Sequence, residues 1–252
     1  MKRFLHVAVL AVLVSGLAGL ARADEKDAKA IVDKGITALG GEEKLTKAGA
    51  YSWKSKGTIT INGSDNEFTS QSTLEGLDHY RSEFDGKFGD TDVKGITVLN
   101  GDKGWQKFNE NDRELDAVGL IDEKHRVNTQ AIPTTLVQLK GKGFKIESAA
   151  EEKVGDKPAA VIKVTGPEGK DFTLYFDKES GLPVKLVAKV AGYGGGEDFT
   201  QETTFSDYKD FDGIKKATKI SSKRNGEKFI DVEISEFKVL DNVPAETFTQ
   251  PK

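Results

Sequence analysis

The chain has 252 residues, 37 basic and 41 acidic side chains and a formal charge of −4. It has the length for one large β domain or two small ones, but no basic excess of the kind a phosphate backbone demands, so nucleic acid is not an expected partner. No cysteine occurs, which removes disulfides, thiol catalysis, iron–sulfur clusters and cysteine zinc sites from consideration.

Lys2 and Arg3 precede a nearly uncharged apolar run, Phe4 to Leu20, and then Ala21-Arg22-Ala23. Positive start, apolar centre and small-x-small end form the layout of a secretory signal peptide cleaved after Ala23. The expected mature domain is 24–252, located in the periplasm. It would have no stable membrane anchor, because a lipoprotein anchor needs a cysteine at the cleavage point.

From Asp24 to Leu45 the apolar residues Ala28, Ile31, Val32, Ile36 and Leu39 recur at helical spacing, and Gly40-Gly41 interrupts the helix before a short second turn. From Tyr51 the period becomes two. Tyr51, Trp53, Ile59 and Ile61 fall on one strand face, with Lys54, Lys56, Thr58 and Thr60 on the other. Asn62-Gly63 is a hairpin turn signal. The next segment, Glu67 to Phe84, reads as one long polar strand bent at Gly76 and closed by Asp85-Gly86. Ile96 to Leu99 and Trp105 to Phe108 form a hairpin around Asn100–Gly104.

Leu120 to Leu139 reads as helical, with a break at Ile132-Pro133 and a short last turn carrying Leu136, Val137 and Leu139. Beyond Phe144 the pattern is strand and turn: Phe144–Glu152, Ala159–Thr165, Phe172–Asp177, Val184–Val190, Phe199–Asp210, Lys216–Arg224 and Lys228–Leu240. Turn residues separate them at short, regular intervals, the mark of an antiparallel meander of about ten or eleven strands. The fold class is mainly β (α+β), in a single domain. Such a sheet buries one face economically by curling and laying its helices across the concave side, where a cleft can take an apolar ligand.

The apolar faces that such a cleft would use are Tyr51, Trp53, Ile59 and Ile61; Phe172, Leu174 and Phe176; and Val184, Leu186, Ala188 and Val190, with Leu136 and Phe144 beside them. Trp105, directly after a hairpin turn, is either a cleft contact or a cross-strand packing residue. No catalytic chemistry is announced. Beyond the export segment only His79 and His125 occur, without metal-ligand spacing, and there is no G-x-S-x-G elbow. Gly192–Gly196 lacks the Lys-Ser or Lys-Thr of a phosphate loop and reads as a flexible connection. No cofactor, metal or catalytic residue is assigned.

The order of these motifs resembles the LolA/LolB-like family of envelope lipid and lipoprotein carriers and its mycobacterial LppX/LprG relatives. An N-terminal helix leads to a strand with Tyr51 and Trp53. The hairpin tip Asn100-Gly101-Asp102-Lys103-Gly104 is followed at once by Trp105, then by the helical insertion. Asp177 to Gly181-Leu-Pro-Val-Lys185 is similar to the family's strand pair with a "D…G.P" turn, and Val243-Pro-Ala-Glu-Thr-Phe248 to its closing stretch. The resemblance implies an incomplete antiparallel β-barrel enclosing helices, and a non-enzymatic grip on acyl chains. The chain is therefore read as a monomeric periplasmic binding protein for a lipid or other hydrophobic ligand, a carrier or sensor. An envelope protein-interaction module with a filled core, and less favourably an envelope hydrolase, are the other readings.

Overall fold

The computed structural model describes residues 17–192 and 196–252. Residues 1–16 of the expected export segment, and 193–195 of the glycine loop, lie outside the described residues; residues 17–23 begin the first helix. That helix, α1, spans Leu17–Leu39, and a short α2 spans Glu42–Lys47. Six strands follow: β1 (Ala50–Ile61), β2 (Ser64–Glu75), β3 (His79–Phe88), β4 (Thr91–Asn100), β5 (Lys103–Phe108) and β6 (Asn111–Glu114). Helix α3 (Ala117–Thr135) and a 3-10 turn (Val137–Lys140) separate them from seven more. These are β7 (Lys145–Val154), β8 (Lys157–Thr165), β9 (Asp171–Asp177), β10 (Pro183–Val190), β11 (Phe199–Phe211), β12 (Ile214–Arg224) and β13 (Glu227–Leu240). A second 3-10 turn, Ala245–Phe248, lies in the C-terminal tail.

All thirteen strands join one open antiparallel sheet in the order β6-β5-β4-β3-β2-β1-β13-β12-β11-β10-β9-β8-β7. The two meanders meet where β1 pairs with β13, Tyr51 opposite Val239 and Ile59 opposite Ile230. The sheet has two edges, β6 and β7, and α1 lies against the second of them. The expected incomplete barrel with helices is thus the observed architecture.

The sheet has thirteen strands where about ten or eleven are expected, because β6 adds one at the edge and one expected strand is two; α3 differs as well. The segment expected as one bent strand is a hairpin, β2 and β3. Gly76 takes φ 63°, a left-handed conformation open to glycine without steric cost, so the chain reverses there instead of bending. Asp85-Gly86 then lies inside β3, with Gly86 opposite Phe68. Pro133 does not break α3 either. It removes one donor near the helix end, while Ile132 and Leu136 on either side are fully buried and hold the turn in place. The helix begins on Asp116, whose carboxylate accepts the Gly119 N–H at 2.8 Å. It ends at Leu136 in the left-handed region, φ 61°, with the Leu136 N–H bonded to Ile132 O.

The main core lies between the sheet and the helices. Ala28, Val32, Ile36 and Leu39 form the buried stripe of α1. They pack with Leu136, Leu139, Ile162, Leu174, Phe176 and Leu186. Packing is close at Gly35: a Cβ there would stand 2.6 Å from Leu136 Cδ1 and 3.0 Å from Phe176 Cε1. Glycine lets α1 approach these two side chains closely.

Candidate functional site: the helix-bearing face of the sheet

Strand parity and register define which side chains share the inner face. Tyr51 pairs with Leu74, Leu74 with Tyr80, and Tyr80 with Leu99. All four belong to the main core. Two residues along, Trp53, Ser72, Ser82, Thr97 and Gln106 form the next row, and two further on come Ser55, Ser70, Phe84, Gly95 and Phe108. The next row places Gly57 opposite Phe68 and Phe68 opposite Gly86.

Helix α3 crosses this face at the Gln106 row. Gln106 Nε2 donates to Glu123 Oε2 at 3.2 Å, and Arg113 Nη2 donates to Gln106 Oε1 at 2.7 Å. Arg126 Nε stands 3.4 Å from the same Glu123 oxygen, and its Nη2 donates to Ala191 O at 3.5 Å. This network borders a hollow of about 250 Å³ at the N-terminal end of α3. Burial pushes the Glu123 carboxyl up, opposed by the Arg126 charge and the Gln106 hydrogen bond. Burial pushes His125 down, with the Lys170 charge acting in the same direction, and its Nε2 is buried without a hydrogen bond. The buried side of α3 is mixed: Glu123, His125, Asn128, Thr134 and Thr135 stand beside Val127, Ala131, Ile132 and Pro133. A cover of this kind adheres less strongly through the hydrophobic effect than an all-apolar one.

Beyond the α3 crossing the inner face carries an aromatic strip. Phe68 stacks on Phe84 at 5.1 Å between centroids, and Phe84 on Phe88 at 6.0 Å. Phe108 is 40% exposed and borders Gly95, where a Cβ would come within 3.1 Å of its ring. Phe84 and Phe88 are half-buried. Sequence reasoning missed this strip because the segment around it is polar. The alternation Phe84-Asp85-Gly86-Lys87-Phe88 was the available signal.

The structure brings most of the expected residues together on the inner face. Tyr51, Leu136, Phe172, Leu174, Phe176 and Leu186 are buried in the main core, and Trp53 and Phe144 are half-buried against it. Ile59 shares their strand face and is half-buried further along β1. Three residues are placed otherwise. Ile61 ends β1 at the hairpin, 46% exposed, because the strand outruns its cover. Val184 sits at a β-bulge between Pro183 and Lys185, which reverses its parity. It packs on the outer face with Val161 and Tyr175. Trp105 is also on the outer face. It pairs with Val98 and is covered, with Ala50, by Val243 and Phe248 of the C-terminal tail. The cross-strand packing role, not the cleft contact, is the one its position supports.

One polar residue stands out on the inner face. Lys216 of β12 is buried, and its Nζ donates to Thr134 Oγ1 of α3 at 2.6 Å. The ammonium lies 5.9 Å from the ring centroids of both Trp53 and Phe237. Burial alone lowers its pKa to about 8. Nearby, the Tyr51 hydroxyl lies beside Thr135 with no hydrogen bond completed, and burial pushes its ionisation well up. Among the described residues no cluster of three or more histidine or acidic side chains is arranged to hold a metal ion.

One open antiparallel sheet with helices across its inner face is the fold of LolA superfamily structures. A LolA superfamily protein from Nitrosomonas europaea superposes with a TM-score of 0.58 over 88% of this chain and 97% of that one, at 11% identity. A DUF1329 family protein from Desulfovibrio piger does so with a TM-score of 0.54 over 88% and 97%, at 14% identity. At these identities the likeness is one of fold. No family model and no curated protein matches the chain by sequence.

Proposed function

We propose that the protein is a non-enzymatic, monomeric binding protein of the periplasm, carrying or sensing a hydrophobic, lipid-like ligand on the inner face of its sheet. The observation that supports this reading is the aromatic strip Phe68, Phe84, Phe88 and Phe108, which extends the apolar inner face beyond its helical cover. Phe68 is buried, Phe84 and Phe88 are half-buried and Phe108 is exposed, so the strip leads from the core to an accessible apolar surface of the kind a ligand can use. The partly polar underside of α3 supports the same reading, since an apolar chain can compete with its polar part for the sheet. An acyl chain burying eight to ten methylenes would supply a gross ~6–8 kcal/mol before the costs of association. That permits both capture and release.

The signal-peptide pattern at residues 1–23 supports the periplasmic part of this reading, and N-terminal sequencing of the exported protein should begin at Asp24. Binding is tested by titrating the purified protein with N-phenylnaphthylamine. The expected result is a saturable fluorescence rise that long-chain lipids reverse. Absence of any saturable signal, together with no lipid released on denaturing protein purified from its periplasm, would overturn the reading.

A further inference from the structure

The interior holds a positive charge that the fold does not use. Lys216 is 9% exposed, so its ammonium does not reach water in the manner of a snorkelling side chain. Its hydrogen-bond partner is a neutral hydroxyl, Thr134 Oγ1. Among the described residues no carboxylate forms an ion pair with it, and no neighbouring charge contributes to its titration. An ammonium carries three donors; one is directed at Thr134, and two aromatic rings flank the group. A second unsatisfied donor lies close by. The Tyr51 hydroxyl is buried without a hydrogen bond. The Tyr51 ring stacks on Phe237 at 5.6 Å between centroids, and Phe237 is one of the two rings flanking the lysine. The two donors also lie beside consecutive residues of α3, Thr134 and Thr135.

Buried charges are normally paired, because an unpaired one carries a desolvation cost that its surroundings do not return. Here the pair is half built: cation, second donor and aromatic walls are present, and a hydroxyl occupies the place of an anionic oxygen. From this arrangement we infer that Lys216, assisted by Tyr51, anchors the anionic headgroup of a single-chain amphiphile, a carboxylate or a phosphate monoester. The inference rests on the binding role proposed above and specifies the ligand's polar end. Binding exchanges Thr134 Oγ1 for a ligand oxygen on the lysine, and the hydrocarbon chain lies on the inner face. No covalent step is involved.

The test compares hexadecanoate, hexadecyl phosphate and hexadecanol as competitors of N-phenylnaphthylamine, in the wild type and in the Lys216→Met and Lys216→Arg variants. The wild type should bind at least one of the two anions about tenfold or more tighter than the alcohol, and the better anion identifies the headgroup. Lys216→Met should bind all three with the affinity of the alcohol, whereas Lys216→Arg should retain the preference. Circular dichroism establishes that each variant is folded. Equal binding of acid, phosphate and alcohol by the wild type, or a preference that survives in Lys216→Met, would overturn the anchor while leaving hydrophobic binding intact. No binding of any of the three would overturn both.

Discussion

Replacing Lys216 by methionine should stabilise the protein at neutral pH, the reverse of the usual outcome for a buried-site substitution. Burial lowers the amine from the ordinary 10.5 to about 8. At about 1.4 kcal/mol per tenfold change in proton affinity, that gap corresponds to about 3 kcal/mol held against folding when the lysine is charged. Loss of the Thr134 hydrogen bond and of the two ring contacts takes back roughly 1 kcal/mol. Lys216→Met is therefore expected to be about 2 kcal/mol more stable at pH 7. The pH dependence follows from linkage. Between pH 8 and 10.5 the unfolded chain still holds a proton that the folded lysine has released, so wild-type stability rises with pH across that window. Methionine has no such step, and its advantage should fall by about 3 kcal/mol by pH 10.5, to zero or below. Urea denaturation of both proteins at pH 7 and 10.5, followed by tryptophan fluorescence, measures both quantities, and other titrating groups cancel in the difference. A variant less stable than wild type at pH 7, or a gap that does not change with pH, would refute the reasoning.

Leu136→Ala should cost about 2–5 kcal/mol by urea denaturation, because the side chain is fully buried against Gly35 and Phe176. Glu123→Gln should gain stability relative to wild type as pH rises from 4 to 7. The wild-type carboxyl is pushed up by burial, so its favourable neutral form is present in acid and lost as pH passes through the folded value. A pH series of thermal melts checks the sign. The double substitution Phe84→Ala with Phe108→Ala should weaken N-phenylnaphthylamine binding at least tenfold, about 1.4 kcal/mol, and circular dichroism should show an unchanged sheet. Ligand addition should alter the fluorescence of Trp53 in a Trp105→Phe protein, and leave Trp105 unaltered in a Trp53→Phe protein, since the two indoles lie on opposite faces.

Strand alternation made much of the inner face legible. Tyr51, Trp53, Phe172, Leu174 and Phe176 keep their parity from sequence to structure because their strands run regularly there. Val184 does not, because a bulge inserts one residue without a hydrophobic signature to mark it. Trp105 could not be placed from its own strand. Its burial depends on Val243 and Phe248, more than a hundred residues away and in a tail with no periodic pattern. Reading residues 67–84 as one strand hid the hairpin and, with it, the aromatic strip, because the turn rests on the backbone freedom of Gly76. Lys216 was hidden for a different reason. It follows another lysine, and only the register of β12 and the placement of α3 decide that Lys215 faces solvent while Lys216 is buried.

The central claim is that the ligand lies on the inner face of the sheet. Photolabelling with a diazirine-bearing hexadecanoate, followed by peptide mapping, tests it most directly. The account predicts adducts on the inner-facing residues around Trp53, Phe84 and Phe108, competed away by unlabelled hexadecanoate. Competed adducts on the outer cluster of Trp105 and Phe248 instead would contradict it.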